Sequence, residues 1–179
     1  MLEVANTVLI IIDMQEKLAR VMYERDAMFS NLQKLIRGLA VLGVPFLATE
    51  QYPQGLGPIS PDIASLLPDV KPVAKAAFNC LADENFRREF EALGRKQVLV
   101  SGIEAHICVY QTVCDLISRR CEAYVVTDTV SSRTPENRQL SFEMMKQAGA
   151  RLTSTEAALF ELLKVGEGDK FKKISQIIR

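Results

Sequence analysis

Three side chains in this sequence could together carry out nucleophilic chemistry: the thiol of Cys108, the carboxylate of Asp13 and the ammonium of Lys75. Cys108 lies in Val98–Tyr110, VLVSGIEAHICVY, where Val98-Leu99-Val100 reads as a buried strand and Gly102 breaks the run. Cys108, Val109, Thr112, Val113 and Leu116 then follow at helical spacing, which puts the thiol near the first turn of a helix that succeeds a strand. A helix N-terminus has free N–H groups and a partial positive charge. It can therefore depress a cysteine pKa below ~8.5, and the same N–H groups can receive an oxyanion. A thiol also needs a proton acceptor. Asp13 follows the apolar run Thr7–Ile12 at once and could take the proton and later return it to a leaving group. Lys75 interrupts an apolar segment, PVAKAAF, and could offset the repulsion between carboxylate and thiolate. Purely structural roles stay open for each: an inert buried cysteine, a capping aspartate, a solvated lysine on an edge strand.

Other chemistries find less support. The chain has one histidine, His106, two residues before Cys108, a spacing that aims the two side chains in different directions. No short-spaced His/Cys set suggests a zinc site, so no metal and no cofactor is expected. Gly55-Leu56-Gly57 lacks the third glycine and the strand-turn-helix context of a nucleotide fingerprint. Cys80, Cys108, Cys114 and Cys121 form no CxxC pair and read as reduced thiols.

Stepping outward from the three reactive residues, Thr7–Ile12 (TVLIII) has the pattern of a central parallel strand buried on both faces. Asp26–Leu42 carries a helical apolar stripe and stops at Gly43; Val44–Ala48 is a second strand, running into Thr49-Glu50-Gln51-Tyr52. Residues 53–61 read as a Gly/Pro-rich loop, Ile63–Leu67 as a helical turn, and Pro72–Ala77 as an extended segment. Ala82–Leu93 is predicted helical, Lys96–Ile103 a strand, with the Cys108 helix running to about Arg119. Ala123–Thr127 is a strand, Pro135–Ala148 a helix, Arg151–Thr153 a last strand and Thr155–Leu163 a helix. This alternation predicts a three-layer α/β/α fold with a doubly wound, mainly parallel six-stranded sheet, order 3-2-1-4-5-6. In that order the first and fourth strands are neighbours at the switch point. Asp13 and Cys108 then meet in one crevice by topology alone.

The totals are those of one domain: 179 residues, 48% hydrophobic and 25% charged. We divide the chain into a domain at 1–165 and an amphipathic, basic tail at 166–179 that packs on the domain or on a neighbouring subunit. With 22 basic and 22 acidic residues, no nucleic acid or anionic membrane is expected as partner. Val8–Ile12 is too short to span a bilayer and does not read as a signal peptide, so a soluble, cytoplasmic protein is expected. The expected partners are a small-molecule substrate and further copies of the chain in a homo-oligomer.

LIIIDMQ with Asp13 and Gln15, the lysine of VAKAAF, and GIEAHICV around Cys108 resemble the isochorismatase-like cysteine hydrolases, the superfamily of nicotinamidases and N-carbamoylsarcosine amidases. The resemblance runs from about Thr7 to Leu163. It implies a triad of Asp13, Lys75 and Cys108, and a cis peptide between Ile103 and Glu104 that sets the Glu104 N–H beside that of Cys108 as an oxyanion hole. It further implies metal-independent cleavage of an amide-type C–N bond through a cysteine thioester. Nicotinamidases carry an Asp-x-His metal site where this chain reads Thr49-Glu50-Gln51-Tyr52, so nicotinamide is disfavoured. Isochorismatase proper does not use the cysteine. EQYP and GIEAH look most like the small isochorismatase-domain proteins, whose substrate the resemblance does not supply. Gln51, Tyr52 and Phe78 are the candidate substrate-binding residues, core packing being the other reading of Phe78. Leu18 stands where many relatives have an aromatic residue and would reshape the pocket, while Glu50 could simply cap a loop. The competing class is a non-catalytic, ligand-binding protein acting as an oligomeric scaffold. A flavodoxin-like flavin or nucleotide binder is weakened by the lack of a phosphate loop.

Overall fold

The computed structural model describes residues 1–179. Six strands alternate with helices: β1 (Thr7–Ile12), α1 (Glu16–Ala19), α2 (Arg25–Leu42), β2 (Phe46–Gln51), α3 (Pro53–Leu56), α4 (Pro61–Ala64), β3 (Val73–Lys75), α5 (Glu84–Ala92) and β4 (Gln97–Gly102). A π-helical turn, Ala105–Val109, leads into α6 (Tyr110–Ser118), followed by β5 (Glu122–Val130), α7 (Pro135–Gln147), β6 (Arg151–Thr153), α8 (Thr155–Leu163) and α9 (Gly168–Ile178). The strands form one sheet in the order β3-β2-β1-β4-β5-β6, every neighbouring pair parallel. This is the doubly wound arrangement expected from the alternation of strand and helix.

The all-apolar β1 is explained by its two coats. Leu9 and Ile11 face a core shared with α2, α8 and α9, through Leu32, Leu35, Leu39, Leu159 and Ile174. Val8, Ile10 and Ile12 face the opposite core, filled by Phe86 and Phe90 of α5, Val113 and Leu116 of α6, and Phe142 and Met145 of α7. A strand with cores on both faces has no solvent side on which to place a polar residue.

Several boundaries differ from the sequence expectation, each for a local reason. Within 53–61, residues Pro53–Leu56 make a helical turn, with proline at its first position, where the missing N–H costs nothing. β5 continues past Thr127 to Val130, where Val130 pairs with Gly102, while β6 pairs with Tyr124–Val126. The helix predicted from Ala82 begins at Glu84, because Asp83 caps it by accepting the N–H groups of Asn85 and Phe86. The tail is helical from Gly168 to Ile178; Ile174 is fully buried against α2, and Lys34 Nζ donates to the Ile178 carbonyl at 3.0 Å. No helix is long and apolar enough to cross a membrane.

Ile12 is paired with Thr49 on one side and with Gly102 on the other, so β1 and β4 end level while β2 runs on two residues to Gln51. Gly102 sits at φ +126, and a Cβ there would run into the Ile12 carbonyl oxygen. Only glycine fits both demands. Gly102→Ala is therefore expected to destabilise the fold by about 2–4 kcal/mol, read as a lowered urea midpoint with an unchanged slope; a variant as stable as the parent would contradict this packing.

Candidate active site

Asp13 is the first residue beyond β1 and takes up a left-handed conformation, φ 53, which aspartate tolerates. It does not cap the following helix, whose N-cap is Gln15. Its carboxylate is held instead from β2 and β3. Thr49 Oγ1 donates to Oδ1 at 2.7 Å, and Lys75 Nζ donates to Oδ2 at 2.7 Å. Both side chains of the Asp13–Lys75 pair are wholly buried, so neither charge is screened by water.

Lys75 ends β3, in register with Gln51 at the end of β2. Its ammonium donates to Asp13, to Gln51 Oε1 at 2.7 Å and to the Phe78 carbonyl at 3.4 Å. An ammonium has three donors, and all three are engaged. Gln51 is itself fixed: its Nε2 donates to the Ala76 carbonyl at 2.8 Å, and its backbone is clamped by Gln15. Gln15 Oε1 accepts the Gln51 N–H at 2.8 Å, while its Nε2 donates to the Gln51 and Gly57 carbonyls at 2.9 and 2.6 Å.

Cys108 belongs to the π-helical turn Ala105–Val109, one turn ahead of α6. The wider turn is made by Val109 N–H donating to the Glu104 carbonyl at 3.2 Å, while Ala105 N–H donates to Ser131 O at 2.8 Å. The Ile103–Glu104 peptide is cis. The Glu104 N–H has no acceptor within the protein. Cys108 is 6% exposed and opens on the same cleft as Asp13.

The electrostatics of the thiol reverse the expectation from helix position. Its pKa is pushed up to about 12, first by burial and next by the Asp13 carboxylate; Lys75 pulls it down but does not win. At rest Cys108 is thus a thiol, not a thiolate. Cys80, fully buried and 3.7 Å from Thr49 Oγ1, is likewise raised, to about 11, mainly by burial. It has no access to the cleft.

The cleft, about 170 Å³, is lined by Asp13, Cys108, Gln51, Glu104 and Phe78, with Leu18, Leu56, Ile103 and Ile107 completing the wall. Gln51 and Phe78 therefore reach the site, and Phe78 is half exposed at its rim rather than packed in a core. Tyr52 does not reach it. Its left-handed backbone, φ 39, turns the ring out over Gly55, where it is 60% exposed. Glu50 caps the adjoining loop by accepting the Ile59 N–H at 2.8 Å. His106 turns away from the thiol: Nδ1 lies 2.9 Å from Ser132 Oγ, and Nε2 lies 3.9 Å from Glu104 Oε2. No three His, Cys, Asp or Glu side chains converge as a metal site would require.

Thr49 and the clamping role of Gln15 were not foreseen from sequence. The one usable signal for Thr49 was its place at the end of the second strand, level with the residue before Asp13. Gln15 is a buried polar side chain, which must find partners somewhere, but its sequence position does not say where.

Comparison with known proteins agrees with this architecture. The Isochorismatase domain profile matches residues 7–157. Isochorismatase domain-containing protein 2 of Danio rerio is 33% identical over 178 residues, spanning 99% of this chain and 89% of that one. The structure of MAR1 ribonuclease from Caenorhabditis elegans superposes with a TM-score of 0.92 at 33% identity, covering 99% of this chain and 91% of that chain. The YcaC gene product of Escherichia coli, described as an octameric hydrolase of unknown specificity, shares the fold with a TM-score of 0.94 at 23% identity, covering 99% and 88%. The chain belongs to the isochorismatase-domain family.

Proposed function

We propose that the protein is a metal-independent cysteine hydrolase that cleaves a small amide-type C–N bond through a thioester on Cys108. The observation that carries this reading is the double hold on one carboxylate. Asp13 is fixed by Lys75 and Thr49 from two other strands while it lines the same cleft as the Cys108 thiol.

The raised thiol pKa decides the order of proton movements. A thiol that titrates near 12 is not a free thiolate at neutral pH, so attack must be coupled to proton loss. In the proposed reaction the Sγ–C bond forms as the thiol proton passes to Asp13, and the substrate carbonyl becomes an oxyanion. The N–H groups of Glu104 and Cys108 receive that oxyanion. Asp13 returns the proton to the departing nitrogen as the C–N bond breaks, leaving the thioester. A water then attacks the thioester carbonyl, its proton going to Asp13; the C–Sγ bond breaks, Asp13 returns that proton to the sulfur, and the acid leaves. Lys75 remains charged throughout and offsets whichever of Asp13 or Cys108 is anionic. Gln51 keeps the ammonium in place.

Ribonuclease activity, which the name of the worm relative carries, asks for different equipment. Phosphoryl chemistry relies on cations that clamp the transferring group. Here formal net charge is zero, and the one ammonium at the site is fully engaged by the protein. The octameric state of the Escherichia coli relative supports a homo-oligomer as a further part of the proposal. Light scattering is expected to give a mass that is a multiple of 20.0 kDa; a monomer would exclude assembly.

Two further outcomes are expected. Cys108→Ala abolishes ammonia release from every amide the parent hydrolyses while leaving the circular-dichroism spectrum unchanged; equal turnover would remove the proposal. Iodoacetamide mapping by mass spectrometry at neutral pH is expected to find Cys108 slow in the parent. A pKa near 12 leaves roughly a thousandfold less thiolate than an ordinary ~8.5 thiol. Asp13 raises this pKa and Lys75 lowers it, so the midpoint of the pH profile for Cys108 alkylation falls in Asp13→Asn and rises in Lys75→Ala. Opposite signs would show that these charges do not act on the thiol.

A further inference from the structure

No cationic side chain lines the cleft beside Cys108, and the Glu104 N–H, which has no acceptor within the protein, is taken by the reacting carbonyl in the chemistry proposed above. The Lys75 ammonium has its donors on Asp13, Gln51 and the Phe78 carbonyl, so none is left for a ligand. Arg133, beyond Glu104, is held 3.0 Å from Glu104 Oε2 and does not line the cleft. Lys17 is turned onto the Gly55 carbonyl at 2.9 Å. His106 is tied to Ser132 and lies outside the wall. The ionisable residues that line the space, apart from Cys108, are both acidic, Asp13 and Glu104, and the Glu104 carboxylate is paired with Arg133.

The remaining wall is apolar, made by Leu18, Leu56, Phe78, Ile103 and Ile107. Its volume, about 170 Å³, is close to that of the apolar cavity on the order of 150 Å³ which accepts a benzene-sized guest. A carboxylate entering this space would give up its water, find no donor beyond the N–H groups that the reacting carbonyl requires, and lie near the like charge of Asp13. A compact hydrocarbon group gains from the same wall.

Resting on the hydrolase reading above, we propose that the substrate is an uncharged amide whose acyl group is a compact hydrocarbon, branched aliphatic or a single ring, and that amides bearing a second carboxylate are rejected. Specificity in this site is set by charge exclusion as much as by fit. The pocket discriminates only weakly among neutral acyl groups that differ by one methylene, since such differences are small in an apolar site.

The test uses isobutyramide, benzamide and the similarly compact anion malonamate. Wild-type protein is expected to hydrolyse the neutral amides with kcat/KM at least roughly 100-fold above that for malonamate, the scale expected for an unpaired buried carboxylate. Cys108→Ala, which cannot be acylated, separates this inference from the reaction it rests on. Ligand-observed NMR on that variant is expected to detect isobutyramide and not malonamate at equal concentration. If that binding preference is found while wild-type protein releases no ammonia, the hydrolase reading fails and the charge exclusion stands. Malonamate bound or cleaved as well as isobutyramide overturns the exclusion, and so does failure of the neutral amides both to bind and to react up to their solubility limit.

Discussion

The ion pair between Lys75 and Asp13 is the constraint around which the rest of the site is arranged. Both side chains are sealed from solvent, and a buried pair of this kind gains little stability over an apolar replacement, since desolvation consumes the attraction. Its consequence is positional. An unscreened carboxylate must keep its partners, and those partners come from three strand ends: Asp13 from β1, Thr49 from β2 and Lys75 from β3. Misplacing Asp13 or Lys75 would leave the other's charge buried and unpaired, and misplacing Thr49 would leave one carboxylate oxygen without its donor. The sheet order and the register that sets Thr49 of β2 beside Ile12 of β1 are what make the arrangement affordable in free energy.

Three effects compete at Cys108, and their ranking explains the resting state. Burial and the Asp13 charge push the thiol pKa up, while the Lys75 charge pulls it down. Lys75 is the weaker influence because its ammonium sits on Asp13 and Gln51 rather than facing the sulfur alone. In the proposed chemistry this ranking has a use. The protein keeps its nucleophile protonated until a carbonyl arrives, and the proton is then delivered where the leaving nitrogen needs it.

Much of the fold was legible because it is written in patterns longer than one residue. The uninterrupted β-branched run of Thr7–Ile12 admits little but a doubly covered strand, and strand-helix alternation with right-handed crossovers leaves few sheet orders. The meeting of Asp13, Lys75 and Cys108 near one crevice follows from that order. Less legible were neutral side chains whose importance is pairwise. Thr49 and Gln15 have ordinary types at ordinary positions, and only the register that sets Thr49 beside Asp13 reveals their partners. Tyr52 was misread for a related reason: adjacency to Gln51 suggested a shared pocket, whereas a positive φ turns the ring onto Gly55 and into solvent. The sign of the Cys108 shift also escaped a sequence reading, which sees a helix start but not the depth at which it is buried.

The central claim is that the sulfur of Cys108 becomes covalently attached to the acyl group during turnover. Rapid acid quenching of the protein while it consumes isobutyramide, followed by intact-mass and peptide-mapping spectrometry, measures this directly. The account predicts an added isobutyryl mass on the peptide carrying Cys108, lost with time as substrate is exhausted. Hydrolysis of the amide with that peptide unmodified at every quench time, or with the acyl group on another thiol, would contradict it.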